Sequence, residues 1–244
     1  MKQSISQYKD RLPPLLKKTA FVFLLLISAA PFLFRFIPPP FSMMMVYQKI
    51  VALTQGRSYD VTYQWTSLKN MSPSMGLAVI AAEDQKFMEH CGFDFESTWK
   101  AMRYRNKAKR VRGASSISQQ TAKNLFLFPT KTLGRKLSEA YFTILIETIW
   151  SKKRILEVYL NIAEFGEGIY GVKAASKKFF NKTPDRLTSS ESALLAAVLP
   201  NPHRFRVHSP SRYVLGRQRQ IVSQMRALGG IMYISGLTGK GISN

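Results

Sequence analysis

The chain of 244 residues contains a single cysteine, Cys91, and this scarcity excludes two kinds of structure. One thiol cannot form an internal disulfide, and it cannot supply a cysteine-based zinc site. The count leaves the redox compartment open. His90 lies beside Cys91, but His203 and His208 are far away along the chain, so no metal-ligand spacing is present. We therefore expect these histidines to be structural.

Acidic residues are also scarce. The chain has 14 of them against 36 lysines and arginines, which gives a formal net charge of +22. Such a field attracts nucleic acid, an anionic membrane or a phosphorylated substrate, and it does not choose among them. Five of the acids fall within residues 83–96, and the next stretch, 100–112, holds seven cations and no acid. This arrangement suits a carboxylate base acting on an anionic substrate, and the alternative is a solvated basic loop.

Convincing strand patterns and internal repeats are absent, and the hydrophobic fraction of 45% is sufficient for a packed core. From Met75 onward, apolar residues recur at spacings of three and four, which indicates helices. The predicted helices cover residues 76–87, 117–126, 133–150, 152–161, 172–180 and 190–199. The sequence therefore predicts a mainly α protein.

The only long apolar run lies near the N-terminus. Residues 19–34 carry no charge, and an extension to residue 37 gives about 28 Å of helix, just enough to cross a membrane. Five lysines and arginines against one acid precede the run, which predicts a cytoplasmic N-terminus and an exported remainder. The alternative is a signal peptide cleaved after residues 28–30, but Pro31 makes a poor cleavage site. We predict a basic tail (1–18), an anchor (19–37), a connector (38–67) and a catalytic domain (68–244).

The segment 113–124 carries hydroxyls, amides and one ammonium group directly after the cationic run. Ser116 and Gln119 have the capping-box spacing, so we expect a helix to begin near Ile117. Gln119 and Lys123 are four residues apart, as are Gln120 and Asn124. A helix start with these groups can hold an anion. The alternative is an ordinary capped surface helix.

Two carboxylates are candidates for chemistry. Glu83 follows six small or aliphatic residues, so burial is expected to raise its pKa, while neighbouring cations act in the opposite direction. Of Glu83 and Asp84, we expect one to act and the other to serve as a structural acceptor. Glu139 lies four residues after Arg135, and the alternative here is a weak surface ion pair. The helix over 151–161 is interpreted as scaffold.

One motif is misleading. Gly166, Gly168 and Gly171 have the spacing of a dinucleotide-binding loop, and Glu191 follows at about the expected distance. The motif comes after a helical pattern, however, in a chain without alternating strands and helices. We therefore reject a nucleotide site.

Taken together, the segments resemble the peptidoglycan glycosyltransferase family, in its monofunctional, membrane-anchored branch. The matching stretches occur in family order over about residues 68–205. They are residues 83–92, 113–124, 135–139, 151–161 and 194–202. The resemblance implies a lysozyme-like helical catalytic domain with a single N-terminal transmembrane helix and a small membrane-facing lobe.

The resemblance also implies the reaction, which is polymerisation of lipid II into β-1,4-linked glycan strands with release of undecaprenyl diphosphate. Glu83 is similar to the family's general base, and Glu139 to its second essential carboxylate. The residues implied to bind substrate are Ser115, Ser116, Gln119, Gln120, Lys123, Asn124, Lys131, Arg135 and Lys136. Ser116 and Ser118 replace the usual Thr and keep the hydroxyl. Lys131 replaces the usual Arg and loses its bidentate fork.

The resemblance further implies partners and a location. The expected partners are lipid II, the growing glycan strand, the membrane and other cell-wall synthesis proteins, with no nucleic acid. The expected location is the bacterial inner membrane, with one span and a periplasmic catalytic domain. A divalent cation, Mg²⁺ or Mn²⁺, is compatible with the diphosphate, and no organic cofactor is expected.

Two other functions remain as alternatives. A lytic, lysozyme-type enzyme cleaves a neutral glycan, so it needs a carboxylic acid that protonates the leaving sugar and has no use for surplus cations. A tethered nucleic-acid-binding protein requires aromatic residues interleaved with its cations, and only Tyr104 interrupts the run at 100–112. The cations around two carboxylates favour the transferase.

Overall fold

The computed structural model describes residues 18, 28–94, 115–130 and 132–238. The chain separates into two compact units, residues 1–37 and 38–244. In the first unit, residues 28–34 are helical. Within the described ranges, none of the helices combines the length and the apolar character that a membrane crossing requires. The predicted anchor, 19–37, lies partly outside these ranges, because residues 19–27 are not described.

The second unit is mainly helical, as predicted. Its helices are α1 (Met43–Thr54), α2 (Pro73–Glu83), α3 (Ile117–Phe126), α4 (Leu133–Ile149), α5 (Lys152–Ile162), α6 (Val172–Phe180), α7 (Ser189–Val198), α8 (Arg212–Ala227) and α9 (Ile231–Thr238). Its strands are β1 (Thr62–Tyr63), β2 (Glu164–Gly166) and β3 (Ile169–Tyr170). Two 3₁₀ turns, Leu68–Asn70 and Pro184–Arg186, lie between helices.

The three strands form a small sheet that the sequence pattern did not predict, because strands of two or three residues show no alternation. The strand order is β1-β3-β2, with β1 parallel and β2 antiparallel to β3. Gly168 lies between β2 and β3 with φ of +72°, and a Cβ atom there would lie 2.2 Å from the carbonyl oxygen of Asp60. This glycine of the nucleotide-like motif therefore serves a tight turn.

The predicted helix boundaries agree with the structure where local signals are strong. The helices over 117–126 and 172–180 have the predicted bounds, and three others differ by one residue at one or both ends. The prediction 76–87 is wrong at both ends, because α2 begins with Pro73 as its first residue and ends at Glu83. Helix α2 is buried all round, so its apolar periodicity could not mark its ends. Helices α1, α8 and α9 were not predicted.

The core surrounds α2 and fixes the position of its C-terminal end. Residues 77–81 of α2 are at most 1% exposed. Helices α7, α8 and α9 pack against α2. Gly76 permits close packing, since a Cβ atom there would lie 2.6 Å from Cδ1 of Ile234. The last residue of α2, Glu83, is consequently held at the end of a rigid, fully packed element.

Candidate active site

The carboxylate of Glu83 lies at the point where buried helix α2 reaches a cleft. Burial raises the pKa of Glu83, and the nearby Arg217 and Lys123 charges act against this effect. The cleft has a volume of about 250 Å³, and Ser115 and Ser116 also line it. A carboxylate with a raised pKa at a cleft can act as a general base near neutral pH.

The half-buried Gln120 and the buried Tyr159 orient this carboxylate. The Gln120 amide nitrogen donates a hydrogen bond to Oε2 of Glu83 at 2.9 Å. The amide oxygen of Gln120 accepts from the Tyr159 hydroxyl at 3.1 Å. Burial and the charges of Glu83 and Asp84 raise the pKa of Tyr159 well above its usual value, so the phenol stays protonated and donates. Tyr159 therefore holds Gln120 with its N–H group towards Glu83.

We expect Tyr159→Phe to lower kcat about tenfold, because one net hydrogen bond orients the Gln120 amide. The hydrogen bond from Gln120 lowers the pKa of Glu83, so its loss should move the acidic limb of the pH–rate profile to higher pH. Tyr63→Phe is the matched control, since the half-buried Tyr63 hydroxyl donates to the carbonyl oxygen of Pro39 at 2.6 Å. If the pH–rate profile of Tyr159→Phe were identical to that of Tyr63→Phe, Tyr159 would not act on Glu83.

The neighbouring carboxylate, Asp84, is occupied by structural hydrogen bonds. Its Oδ2 accepts from the Ile117 backbone N–H at 3.0 Å, which joins the end of α2 to the start of α3. Both of its oxygens lie within 3.0 Å of Nε2 of His90. The Gly92 N–H donates to Nδ1 of His90 at 3.1 Å, so the neutral ring donates from Nε2. Asp84 and His90 thus connect two elements and leave Glu83 as the base candidate.

The start of α3 has the predicted capping box. Gln119 N–H donates to Oγ of Ser116 at 3.1 Å, and Ser116 N–H donates to Oε1 of Gln119 at 2.9 Å. The Ser116 hydroxyl also donates to the carbonyl of Gly92. Gly92 has φ of +87°, and a Cβ atom there would lie 2.8 Å from Cγ2 of Thr143, so only glycine fits. Ser116 and Gln119 therefore have structural partners beside the cleft.

The second candidate carboxylate, Glu139, is buried and holds two cations. Its side chain is 4% exposed, Nη1 of Arg135 lies 2.6 Å from Oε2, and Nζ of Lys136 lies 2.5 Å from Oε1. The weak surface ion pair considered from the sequence is therefore not what forms here. Removal of both cations would leave the buried Glu139 charge uncompensated, which is destabilising. Glu139 fixes both cations at one position.

Lys123 lies between the two carboxylates. Burial lowers the pKa of Lys123 most, and the neighbouring charges of Arg135 and Lys136 lower it too. The charges of Glu139 and Glu83 oppose this effect, but the net shift is downward. Among the described residues its ammonium group makes no hydrogen bond and no direct ion pair. A partly buried cation without a direct partner is a place where an anion binds favourably. Lys123 also lines a second cleft, of about 280 Å³.

The structure thus brings most of the predicted site residues together. Ser115 and Ser116 lie at the Glu83 cleft, and Gln120, Lys123 and Asn124 lie at the second cleft. Gln120 joins the two clefts, because it lines the second and donates to Glu83. Lys131 and the cationic run at 100–112 lie outside the described residues.

Two residues near Glu83 were missed in the sequence. Tyr159 lies on helix α5, which was interpreted as scaffold; the only available signal was a polar tip on its buried face. Arg217 lies on α8, and its Nη2 donates to the carbonyl oxygen of Ala82 at 2.9 Å. No local pattern connects Arg217 with a segment 135 residues earlier.

A desolvated carboxylate beside a cluster of cations, in a helical domain, suits a transferase whose leaving group is an anion. The chain belongs to the transglycosylase family, whose model matches residues 49–226. It is 53% identical to the biosynthetic peptidoglycan transglycosylase of Haemophilus influenzae, with 87% of each chain covered. It is 51% identical to the protein of that name from Citrobacter koseri, over 93% of this chain and 97% of the relative. An Escherichia coli O139:H28 relative is 56% identical over 81% of this chain and 83% of its own.

Proposed function

We propose that this chain, a peptidoglycan transglycosylase, polymerises lipid II into β-1,4-linked glycan strands and releases undecaprenyl diphosphate. The observation that carries the proposal is the position of Lys123, which lies near the carboxylates of Glu83 and Glu139 and makes no hydrogen bond or direct ion pair with the residues that the structure describes. The function supported by family membership requires a base on one side of the reacting bond and positive charge on the other. A lysozyme-like fold is part of the same proposal, supported by the mainly helical second unit.

The base in this proposal is Glu83. Its carboxylate takes the proton from the 4-hydroxyl of the acceptor sugar, and the hydroxyl oxygen attacks the anomeric carbon of the donor. The new bond joins O4 to C1, and the bond from C1 to the diphosphate oxygen breaks, so the α-diphosphate becomes a β-glycoside. Gln120 and Tyr159 keep the Glu83 carboxylate in position for this transfer.

The leaving diphosphate is stabilised by cations on the other side. Lys123 is available directly, and Glu139 holds Arg135 and Lys136 close to it. Three cations and two carboxylates leave the described part of the site with a net charge of +1, which favours an anion. A preorganised contact of this kind contributes about 2.7–4 kcal/mol to transition-state stabilisation in other enzymes. The resemblance also implies a substrate-binding role for Lys131, which lies outside the described part of the chain.

A divalent cation held by protein side chains alone does not fit the described residues. Both oxygens of Glu139 already bind cationic side chains. Across residues 28–94, 115–130 and 132–238, no group of three or more histidine, cysteine, aspartate or glutamate residues could hold a metal ion. No step of the mechanism is therefore assigned to Mg²⁺ or Mn²⁺. Polymerisation assays with and without a chelator test whether the reaction needs a divalent cation.

Membrane association is part of the proposal, since the substrate carries a lipid. In the first unit, Phe32 and Phe36 are 60% and 65% exposed. On α4, Leu133, Leu137 and Ile144 are exposed along one face, at spacings of four and seven residues. These apolar surfaces support contact with a membrane. An inner-membrane anchor at 19–37 and a periplasmic catalytic domain complete the proposal. The residues of segment 125–128 differ in exposure. Leu125 is buried, Phe126 stacks on Phe142, and Phe128 is exposed.

The test is incubation of the purified full-length protein with labelled lipid II. We expect long glycan strands whose formation requires only the protein and the lipid. A lytic enzyme, the remaining alternative, would instead shorten preformed strands and leave lipid II intact. Consumption of lipid II without polymer, or cleavage of added glycan, contradicts the proposal.

A further inference from the structure

A mostly buried ion pair outside the candidate site joins helices α4 and α5. Nζ of Lys152, the first residue of α5, lies 2.8 Å from Oε1 of Glu147, and the two side chains are 19% and 9% exposed. The dipole of α5 disfavours a positive charge at this end of the helix. Burial and the helix dipole both make this position unfavourable for a lysine, so its stability there depends on the groups that it contacts.

Two further partners of Lys152 lie on the segment that follows Glu83. The ammonium group donates to the carbonyl oxygen of His90 at 2.5 Å, across 62 residues of sequence. Nζ also lies 4.7 Å from the centre of the fully buried Phe87 ring. Together with Glu147, these contacts provide as many partners as an ammonium group has N–H donors. Lys152 therefore holds the segment after Glu83 from its buried side.

Glu147 extends this contact to helix α3. The hydroxyl of Ser118, a fully buried residue of α3, donates to the same oxygen, Oε1 of Glu147. A Cβ atom on Gly92 would lie 2.9 Å from Cγ of Glu147, so the segment after Glu83 lies directly against this side chain. The Lys152–Glu147 pair thus joins α3, α4, α5 and the segment after Glu83.

These elements carry the groups that the proposed mechanism uses. Glu83 directly precedes the segment that Lys152 holds. Helix α3 carries Gln120 and Lys123, and helix α4 carries Glu139. Neither member of the ion pair lines the two clefts of the site. An effect of the pair on the reaction must therefore act through the elements that it joins.

We propose that Lys152 and Glu147 are positioning residues, which set the distance between the base Glu83 and the cation Lys123. The inference rests on the function given above, since it requires that both groups act in one displacement. Such groups must be held in the correct geometry, and a misplacement of about 1 Å can cost about 10²-fold in rate. The pair fixes this geometry without contact with the substrate.

The first measurement is the turnover of labelled lipid II by full-length Lys152→Met. We expect kcat to fall about tenfold, because Glu83 and Lys123 lose their fixed separation. We expect KM to stay within about twofold of the wild-type value, because the cations that bind the diphosphate are retained. Assay temperatures lie well below the thermal midpoint of the variant, so that the protein is folded.

Arg154→Met is the matched control, because it breaks a similar pair on the same helix. Arg154 forms an ion pair with Glu157, the two side chains are 13% and 14% exposed, and the guanidinium carbon lies 4.9 Å from the centre of the Trp65 ring. Glu157 accepts from the Leu68 N–H at 2.8 Å, so this pair holds the connector and not the site. We expect both variants to lose thermal stability, but only the Lys152 variant to lose kcat.

A thermal measurement separates this inference from the proposed function. Glu83→Gln should raise the thermal midpoint at pH 7, because burial raises the pKa of Glu83. Without Lys152, the segment after Glu83 is released and water reaches the carboxylate. The gain from Glu83→Gln should therefore fall to less than about half in the Lys152→Met background and stay complete in the Arg154→Met background.

Equal losses of kcat in Lys152→Met and Arg154→Met would overturn the positioning role, and so would a wild-type kcat in Lys152→Met. Equal thermal gains from Glu83→Gln in the two backgrounds would overturn it as well. If Lys152→Met does not fold, Glu147→Gln replaces it in both measurements, since the amide keeps the shape and removes the charge. A wild-type protein that makes no polymer, together with unequal thermal gains, would overturn the proposed function alone.

Discussion

Replacement of Glu83 by Gln should abolish strand formation from lipid II, with a loss in kcat/KM of about a thousandfold. Proton transfer to a positioned base contributes about 10²–10⁴ in rate, and Gln cannot accept the proton. The amide has nearly the shape of the carboxylate, and its oxygen can still accept the hydrogen bond from Gln120. The variant therefore removes the chemistry while it keeps the packing, and turnover of labelled lipid II measures the loss.

The same variant should be more stable than the wild type at neutral pH. The pKa of Glu83 in the folded protein is raised above its ordinary value of 4.5. Between 4.5 and the folded pKa, the native state binds more protons than the unfolded state, so stability falls as pH rises through this interval. Gln is neutral at every pH, so the variant has no free-energy cost from a buried charge at this position. Its gain in thermal midpoint should be complete above the folded pKa and should disappear below about pH 4.5.

Glu89→Gln is the matched control, because this exposed glutamate lies six residues after Glu83 in the chain. We expect wild-type activity and an unchanged dependence of stability on pH. The wild-type pH–rate profile should have an acidic limb above pH 4.5, from Glu83. Polymer from the Glu83→Gln protein at more than a tenth of the wild-type rate would exclude this residue as the base.

The parts of the site that local chemistry determines could be predicted from the sequence. The spacing of Ser116 and Gln119 predicted both hydrogen bonds of the capping box and the start of α3 at Ile117. The position of Glu83 after six apolar residues indicated a desolvated carboxylate. Arg135 and Glu139 are four residues apart on a helix, so their side chains lie on one face and can form an ion pair. Each of these inferences depends on helical geometry within a few residues.

The parts that depend on tertiary packing could not be predicted. Tyr159 contacts Gln120 across 39 residues of sequence, and Asp84 accepts from Ile117 across 33. Burial of Glu139 depends on how α3 and α4 pack. From the sequence alone, a surface ion pair between Arg135 and Glu139 therefore remained an alternative. Arg217 reaches Ala82 from a helix with little apolar surface, in which Val214, Ile221 and Met225 are the buried residues. A side chain that positions another through a tertiary contact has no local pattern in the sequence that would reveal it.

Replacement of Lys123 by Met should lower kcat/KM about a hundredfold or more, the second-largest effect we expect. Loss of one preorganised donor to a developing anion costs about 10²–10³ in rate. The pKa of Lys123 is lowered from 10.5, so the wild-type pH–rate profile should fall on the alkaline side at a pH below 10.5. In Lys123→Met this alkaline limb should be absent, because no titrating group is left at that position.

In Lys123→Met, stability at neutral pH should increase although activity decreases. Between the lowered pKa of Lys123 and 10.5, the unfolded state binds more protons than the folded state, so wild-type stability rises with pH in this interval. Below it, the buried charge is a constant penalty that Met removes. Lys123→Met should therefore unfold at a higher temperature at pH 7, and its advantage should disappear above about pH 10.5. Lys153→Met, at an exposed position on α5, should change neither property. A loss of stability at pH 7 together with full activity would mean that Lys123 serves packing and does not bind the diphosphate.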